Sequence, residues 1–318
     1  MKFHYHVLIN QAAGGGNGKK ASQKIIQLLI KNNFSYTTYF TEYPNHELEL
    51  VEELAEDVLI PWENENTETY PLLLVIGGDG TLHQVVSQLK KMQKELPIAY
   101  IPAGSGNDFA RGVGLSREPE KAFWQMFKIQ KPQVINILTY NEQVSEQKGI
   151  SVNNIGIGLD AAIVNRVNQS VTKEKLSKFN LGSLSYIATV LSVLFKQKGF
   201  PILVEANGKK FDYDKAFLCT ANNHPYFGGG VAIAPSANIA QKKMNFIVVE
   251  RIPLYKILWL ILLLLQKKQE KSKYFHQIET NKLRIVSTTA QFAQADGEEL
   301  GDGAYDIVYT MDQQLFWL

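Results

Sequence analysis

Three glycine-rich stretches each follow a short apolar run and precede a helical pattern. Residues 77–81 read Gly77-Gly78-Asp79-Gly80-Thr81. Adjacent glycines allow positive φ and let backbone N–H groups approach a phosphate with no Cβ in the way. A helix starting there adds unpaired donors and partial positive charge. Asp79 would repel a phosphate, so it either contacts Mg²⁺, through water or directly, or fixes the loop; a plain Gly-Asp-Gly turn is the alternative. Residues 102–111 read PAGSGNDFAR, with Gly104, Ser105 and Gly106 at the turn and Asn107 or Asp108 as the helix cap. Residues 14–18, GGGNG, are followed by Lys19 and Lys20 as candidate phosphate contacts. This stretch is not a P-loop: the six-residue glycine spacing is absent and Lys20 stands where Ser or Thr should be. Nor does any stretch make GxGxxG, since Phe109 occupies the third glycine position.

Such loops need strands to carry them. The first 130 residues alternate strand and helix: strand at 7–9, helix at 19–31, strand at 36–40, an acidic helix at 45–58 capped by Asn45, and a surface loop at 61–71. A buried strand at 72–76, a helix at 81–92 and a strand at 98–101 follow. This order predicts a doubly wound α/β domain, whose ligands bind at the carboxyl ends of the strands. Past Pro132 strands dominate, at 134–140, 150–157, 201–206, 215–221, 231–234, 245–250, 282–288 and 305–310. Helices are expected at about 160–176, 183–197 and 254–268. The division is therefore 1–132, α/β, and 133–304, β-rich, with a tail at about 305–318 that packs back on the first domain.

Bulk properties narrow the class. The 318 residues, 45% hydrophobic and 20% charged, suffice for two cores. A net charge of +2 argues against a nucleic-acid partner. The single cysteine, Cys219, fits a reducing compartment and reads as a buried thiol. The longest apolar run, residues 257–265, is too short to span a bilayer. With no signal-like N-terminus, the expectation is a cytoplasmic protein, soluble or peripheral to the membrane.

GGDGT, then PAGSGNDFAR, then Asp296-Gly297-Glu298 in this order resembles the diacylglycerol kinase catalytic family and its bacterial lipid kinase relatives. Asn154 to Ala161, Asn223, Gly228-Gly229-Gly230 and Ala234-Pro235 extend the likeness over nearly the whole chain. NAD kinases and phosphofructokinases share only the GGDG part. The resemblance implies an NAD kinase/diacylglycerol kinase-like ATP-binding domain followed by a β-rich sandwich. It also implies transfer of the ATP γ-phosphoryl group to a lipid hydroxyl, with ATP and Mg²⁺ required and the lipid met at the membrane surface. Asp296 would be the general base, and Glu298 would orient it or contact Mg²⁺. Asn10, Gly14, Lys19, Gly77, Gly78, Asp79, Gly80, Thr81, Gly104, Ser105, Gly106, Asn107 and Asp108 would line the nucleotide site, with Asp79 toward the metal. Diacylglycerol leads; phosphatidylglycerol, sphingoid bases, undecaprenol-type alcohols, NAD, a weakly active nucleotide-binding relative and homodimer formation stay open. One departure stands out: the acidic turn that holds a structural Mg²⁺ in bacterial relatives is replaced here by Ala240, Gln241, Lys242 and Asn245. Either a lysine substitutes for the ion or the activity is altered.

Two features admit two readings. Residues 254–273 are a very apolar helix, containing Trp259, followed by Lys267, Lys268, Lys271 and Lys273. They read as a membrane-facing element with a basic rim or as a core helix; a helix apolar all round is usually buried, which favours the core. His83 either faces the loops or packs.

Overall fold

The apolar run at 72–76 sits inside a strand that is buried almost throughout, with helices available to cover both faces of its sheet. In the computed structural model, which describes residues 2–62, 68–169 and 192–318, the chain divides into two compact units. The first comprises Met1–Ile137, Gly228–Gly230 and Gln313–Leu318. The second comprises Leu138–Phe227 and Val231–Asp312.

In the first unit the chain runs β1 (Lys2–Ile9), α1 (Ala13–Lys31), β2 (Ser35–Phe40), α2 (His46–Asp57), β3 (Thr69–Gly77), α3 (Asp79–Lys91), β4 (Ile98–Pro102), α4 (Asp108–Gly112) and α5 (Pro119–Phe127). The strands are parallel in the order β4-β3-β1-β2. The doubly wound expectation holds. Near the C-terminus, Phe316 pairs with Ile98 and Trp317 N donates to Ile98 O, so the last six residues complete this unit's core. Asn45 does not cap α2 as expected. It lies in the left-handed region, and its side chain makes no capping bond.

The second unit is antiparallel, as runs of alternating burial require. Its strands are β5 (Gln133–Glu142), β6 (Lys148–Ser151), β7 (Asn154–Gly158), β8 (Phe200–Ala206), β9 (Lys209–Asn222), β10 (Tyr226–Phe227), β11 (Val231–Ala232), β12 (Met244–Glu250), β13 (Phe275–Thr280), β14 (Lys282–Ala295) and β15 (Glu298–Phe316). β5 begins, and β15 ends, in the first unit. The order β13-β12-β9-β7-β14-β15 forms the sheet, with β8 beside β9 and β14. Its core holds Phe200, Ile202, Phe246, Ile285 and Ile307, with Cys219 buried among them. Helices α6 (Leu159–Gln169) and α7 (Leu254–Leu265) belong to this unit. The expected helix at 183–197 falls mostly, and residues 170–176 entirely, outside the described residues. The expected burial of α7 fails: Ile257 and Leu260 pack inward, but Tyr255, Leu258, Trp259, Leu262 and Leu265 are exposed.

Candidate active site

In the first unit the three glycine loops follow β1, β3 and β4 and are bolted together through backbone. Asn10 Oδ1 accepts from the backbone N–H groups of Ala12 and Ala13, both at 3.1 Å. Its Nδ2 donates to Thr81 Oγ1 at 3.0 Å, tying the first loop to the start of α3. Gly14, Gly15 and Gly16 all have positive φ, so the first turn of α1 is a left-handed loop rather than helix. A Cβ on Gly14 would lie 2.4 Å from Ala103 O, in the loop after β4. One on Gly104 would lie 2.7 Å from Gly78 Cα. Neither contact leaves room for a side chain, because the neighbour in each case is backbone.

Asp79 fixes the loops. Its two carboxylate oxygens accept from Asp108 N (3.1 Å) and Phe109 N (3.2 Å), the first donors of α4. This corrects the expectation that Asn107 or Asp108 caps that helix: neither makes a capping bond. Asn107 turns back on its own loop, accepting from Gly104 N at 2.8 Å and donating to Gly104 O at 3.0 Å. Asp108 accepts from Gly229 N at 2.7 Å and pairs with Arg111. Burial pushes the Asp108 carboxyl up, opposed by the Gly229 N–H and by Arg111.

The first and third loops, but not Gly77–Thr81, border a groove of about 350 Å³ lined by Asn17, Lys20, Lys24, Asn107 and Arg117 with residues 102–104. Three cations, Lys20, Lys24 and Arg117, on one groove suit a polyanion. Lys20 is on this lining and Lys19, though exposed, is not. Lys24 and Arg117 escaped the sequence reading, and Gly228–Gly230, noted there only as part of the resemblance, belongs to this first unit. The Lys20/Lys24 spacing of four on a helix could have flagged the first. His83 packs inside α3 beside Ser87.

In the second unit Asp296 and Gly297 form the two-residue loop of the β14–β15 hairpin. Both have positive φ, +53° and +89°, and are flanked by the pair Ala295–Glu298. The Asp296 carboxylate accepts from Ser151 Oγ (2.6 Å), Val152 N (2.7 Å), Asn153 N (2.8 Å) and Asn154 N (3.1 Å). It therefore holds the turn between β6 and β7 in place. Glu298 is exposed. Behind the hairpin, Gln294 accepts from Gly297 N and donates to Asp160 Oδ2. Asp160 is buried, and among the described residues its Oδ1 has no hydrogen-bond partner; burial pushes its carboxyl up to about 6, opposed by the Gln294 hydrogen bond.

At the turn where the resemblance implies acids, Asn245 Oδ1 accepts from Gln277 Nε2 at 2.6 Å and Ser236 Oγ at 3.5 Å, while nearby Lys243 pairs with Glu279. Among the described residues no three His, Cys, Asp or Glu side chains gather as a metal site.

Comparison with known proteins accounts for both units. The model of the diacylglycerol kinase catalytic domain matches residues 4–138. That of the YegS C-terminal NAD kinase beta sandwich-like domain matches residues 153–309. The chain is 27% identical over 307 residues to "Putative lipid kinase YtlR" of Bacillus subtilis (strain 168), covering 94% of each. A crystal structure described as a "putative diacylglycerol kinase" from Bacillus anthracis str. Sterne superposes with a TM-score of 0.73 at 21% identity, covering 99% of this chain and 94% of that one. Yeast NADH kinase superposes with a TM-score of 0.51 at 11% identity, over 99% and 83% of the two chains. Two family domains matched in order, on the fold just described, place the chain in the diacylglycerol kinase catalytic-domain family, in the branch that carries a YegS-type C-terminal domain.

Proposed function

We propose that this protein is an ATP-dependent lipid kinase that phosphorylates the free hydroxyl of diacylglycerol, giving phosphatidic acid at a membrane surface. The observation that carries the nucleotide half is the basic groove of Lys20, Lys24 and Arg117 beside two of three glycine loops packed backbone to backbone. Phosphoryl transfer needs little covalent help from a protein. It needs positioning and neutralised charge, which rigid loops and fixed cations provide. Mg²⁺, when bound, would supply neutralisation of the phosphate charge. Asp79, whose two oxygens hold the start of α4 by backbone N–H groups, would be the residue toward the ion. Family membership and the name of the B. subtilis relative support the lipid acceptor.

Asp296 is the proposed base. A hydroxyl is a weak nucleophile until its proton is accepted, and a carboxylate held by several donors cannot swing away from its task. Incubation with γ-labelled ATP, Mg²⁺ and either a lipid extract or NAD tests the reading. Label should enter diacylglycerol and leave NAD unlabelled. Label in NAD, with none in the lipid fraction, overturns it.

A further inference from the structure

Helix α7 is apolar on the side that should be polar. A surface helix normally turns charged residues outward and buries one apolar stripe. Here Ile257 and Leu260 fill the inward stripe at 4% and 8% exposure, packing with Phe217, Ile247 and Phe275. The opposite face, at spacings of three and four, is Tyr255, Leu258, Trp259, Leu262 and Leu265, all 49–73% exposed. No polar side chain interrupts it. At about 1.5 Å per residue, twelve residues reach roughly 18 Å, well short of a bilayer's hydrocarbon core. A helix of this length can lie in an interface and cannot cross one.

The charge around it is one-sided. Residues 254–273 contain Lys256, Lys267, Lys268, Lys271 and Lys273 against a single acid, Glu270. The helix stops abruptly: Lys267 takes φ +55°, and its N–H and that of Lys268 bond back to Leu264 O and Leu263 O. Two ammonium groups therefore leave the chain directly at the end of the apolar face. At the other end Lys256 reaches Tyr274 OH at 3.1 Å, with Lys273 over the same ring. Apolar side chains with an aromatic pair, flanked by lysines, match the layered chemistry of an anionic bilayer: acyl chains, interface and phosphate headgroups. A protein partner would not require both the continuous apolar face and the lysine excess.

We infer that the outward face of α7 docks the protein on anionic bilayers, with Leu258, Leu262 and Trp259 entering the interface and Lys267 and Lys268 contacting headgroups. This deepens the lipid-kinase reading, yet vesicle binding consumes no ATP, so its failure and the failure of phosphate transfer are read separately.

The test is cosedimentation of the full chain with phosphatidylcholine vesicles, with and without phosphatidylglycerol, alongside sizing chromatography. The parent should bind phosphatidylglycerol vesicles and weaken as salt rises. Leu258→Glu with Leu262→Glu should bind at least tenfold more weakly, because each exposed leucine loses an apolar burial worth more than that factor. Lys267→Glu with Lys268→Glu should weaken binding to the anionic vesicles and leave the phosphatidylcholine baseline unmoved. These sites are exposed, and unchanged melting temperatures show that the variants fold. Absence of parent binding, or equal binding by the leucine variant, overturns the proposal. So does a parent dimer that the leucine variant dissociates, which would assign the face to a second copy of this chain.

Discussion

The glycine loops of the first unit and the Asp-Gly hairpin of the second both use a carboxylate to hold a neighbouring turn by its N–H groups, but they need glycine for different reasons. Around Asp79, Gly14 and Gly104 are required because another backbone stands where a Cβ would go, at 2.4 Å and 2.7 Å. Around Asp296, Gly297 is required only by its φ of +89°, and nothing lies within 4 Å of its missing Cβ. The loops are therefore a packing device that tolerates no added atom at Gly14 or Gly104. The hairpin is a conformational device that pays only backbone strain. Burial does not divide them: the two holding carboxylates, Asp79 and Asp296, are both partly buried.

The comparison is broken most forcefully at Asp296. Asp296→Asn should cut lipid-kinase turnover by about 10²–10⁴-fold while ATP affinity stays within a few-fold. Because Asn offers one acceptor oxygen, one of the N–H groups on this carboxylate loses its partner, so about 1–3 kcal/mol of stability should go as well. Turnover, ATP calorimetry and melting on one preparation separate the two effects. Turnover within a few-fold of the parent would leave Asp296 a turn-holder alone.

Gly104→Ala probes the loops. Neither Gly104 nor Gly78 can swing aside, so the expected cost is about 1–3 kcal/mol, with weakened ATP binding seen by calorimetry. Unchanged ATP affinity and stability would show that the two loops separate freely.

A third prediction concerns Asp160, behind the hairpin. Its folded-state carboxyl titrates at about 6, above the ordinary carboxylate value of 3.8, so the folded chain holds a proton that the unfolded chain releases. Its contribution to stability is therefore fully present below about pH 4 and is lost as pH rises toward 6. Asp160→Asn should remove this dependence. Melting temperatures of parent and variant should diverge between pH 4 and 6 in the variant's favour, and parallel curves across that window would place no such proton there.

The smallest effect is expected at Gly297→Ala. With open space around the Cβ, only left-handed strain is added, about 1–2 kcal/mol. Hydrogen exchange of β14 and β15 amides should rise locally. A loss larger than that at Gly104 would erase the distinction between the two regions.

Much of this was legible in the residues. Strand-then-glycine order located all three loops, since paired glycines between an apolar run and a helical pattern have few other uses. The apolar run at 72–76 needed no tertiary information to be a buried parallel strand. Helix α5 and strands β10 and β13 were missed, and β6 and β7 were read as one strand. Helix α5 begins with Pro119 at its first turn and buries Ala122, Phe123 and Met126, a start signal and spacing that were readable. Strand β13 follows a lysine-rich segment that masked it.

Composition and spacing by themselves determined the α/β-then-β order and the glycine loops, because these depend on local φ preferences and on period. Which carboxylate holds which loop was decided only by the tertiary structure. Asp79 caps a helix that begins twenty-nine positions later, and Asp108 is met by Gly229, from a loop more than a hundred residues away. Asp296 grips the turn at Ser151 to Asn154. A carboxylate's partner is whichever N–H the fold delivers within 3 Å, and no local pattern carries that distance. The exposure of α7 belongs to the same class: its sequence says only that it is apolar, and which face meets the core depends on the strands that arrive beneath it.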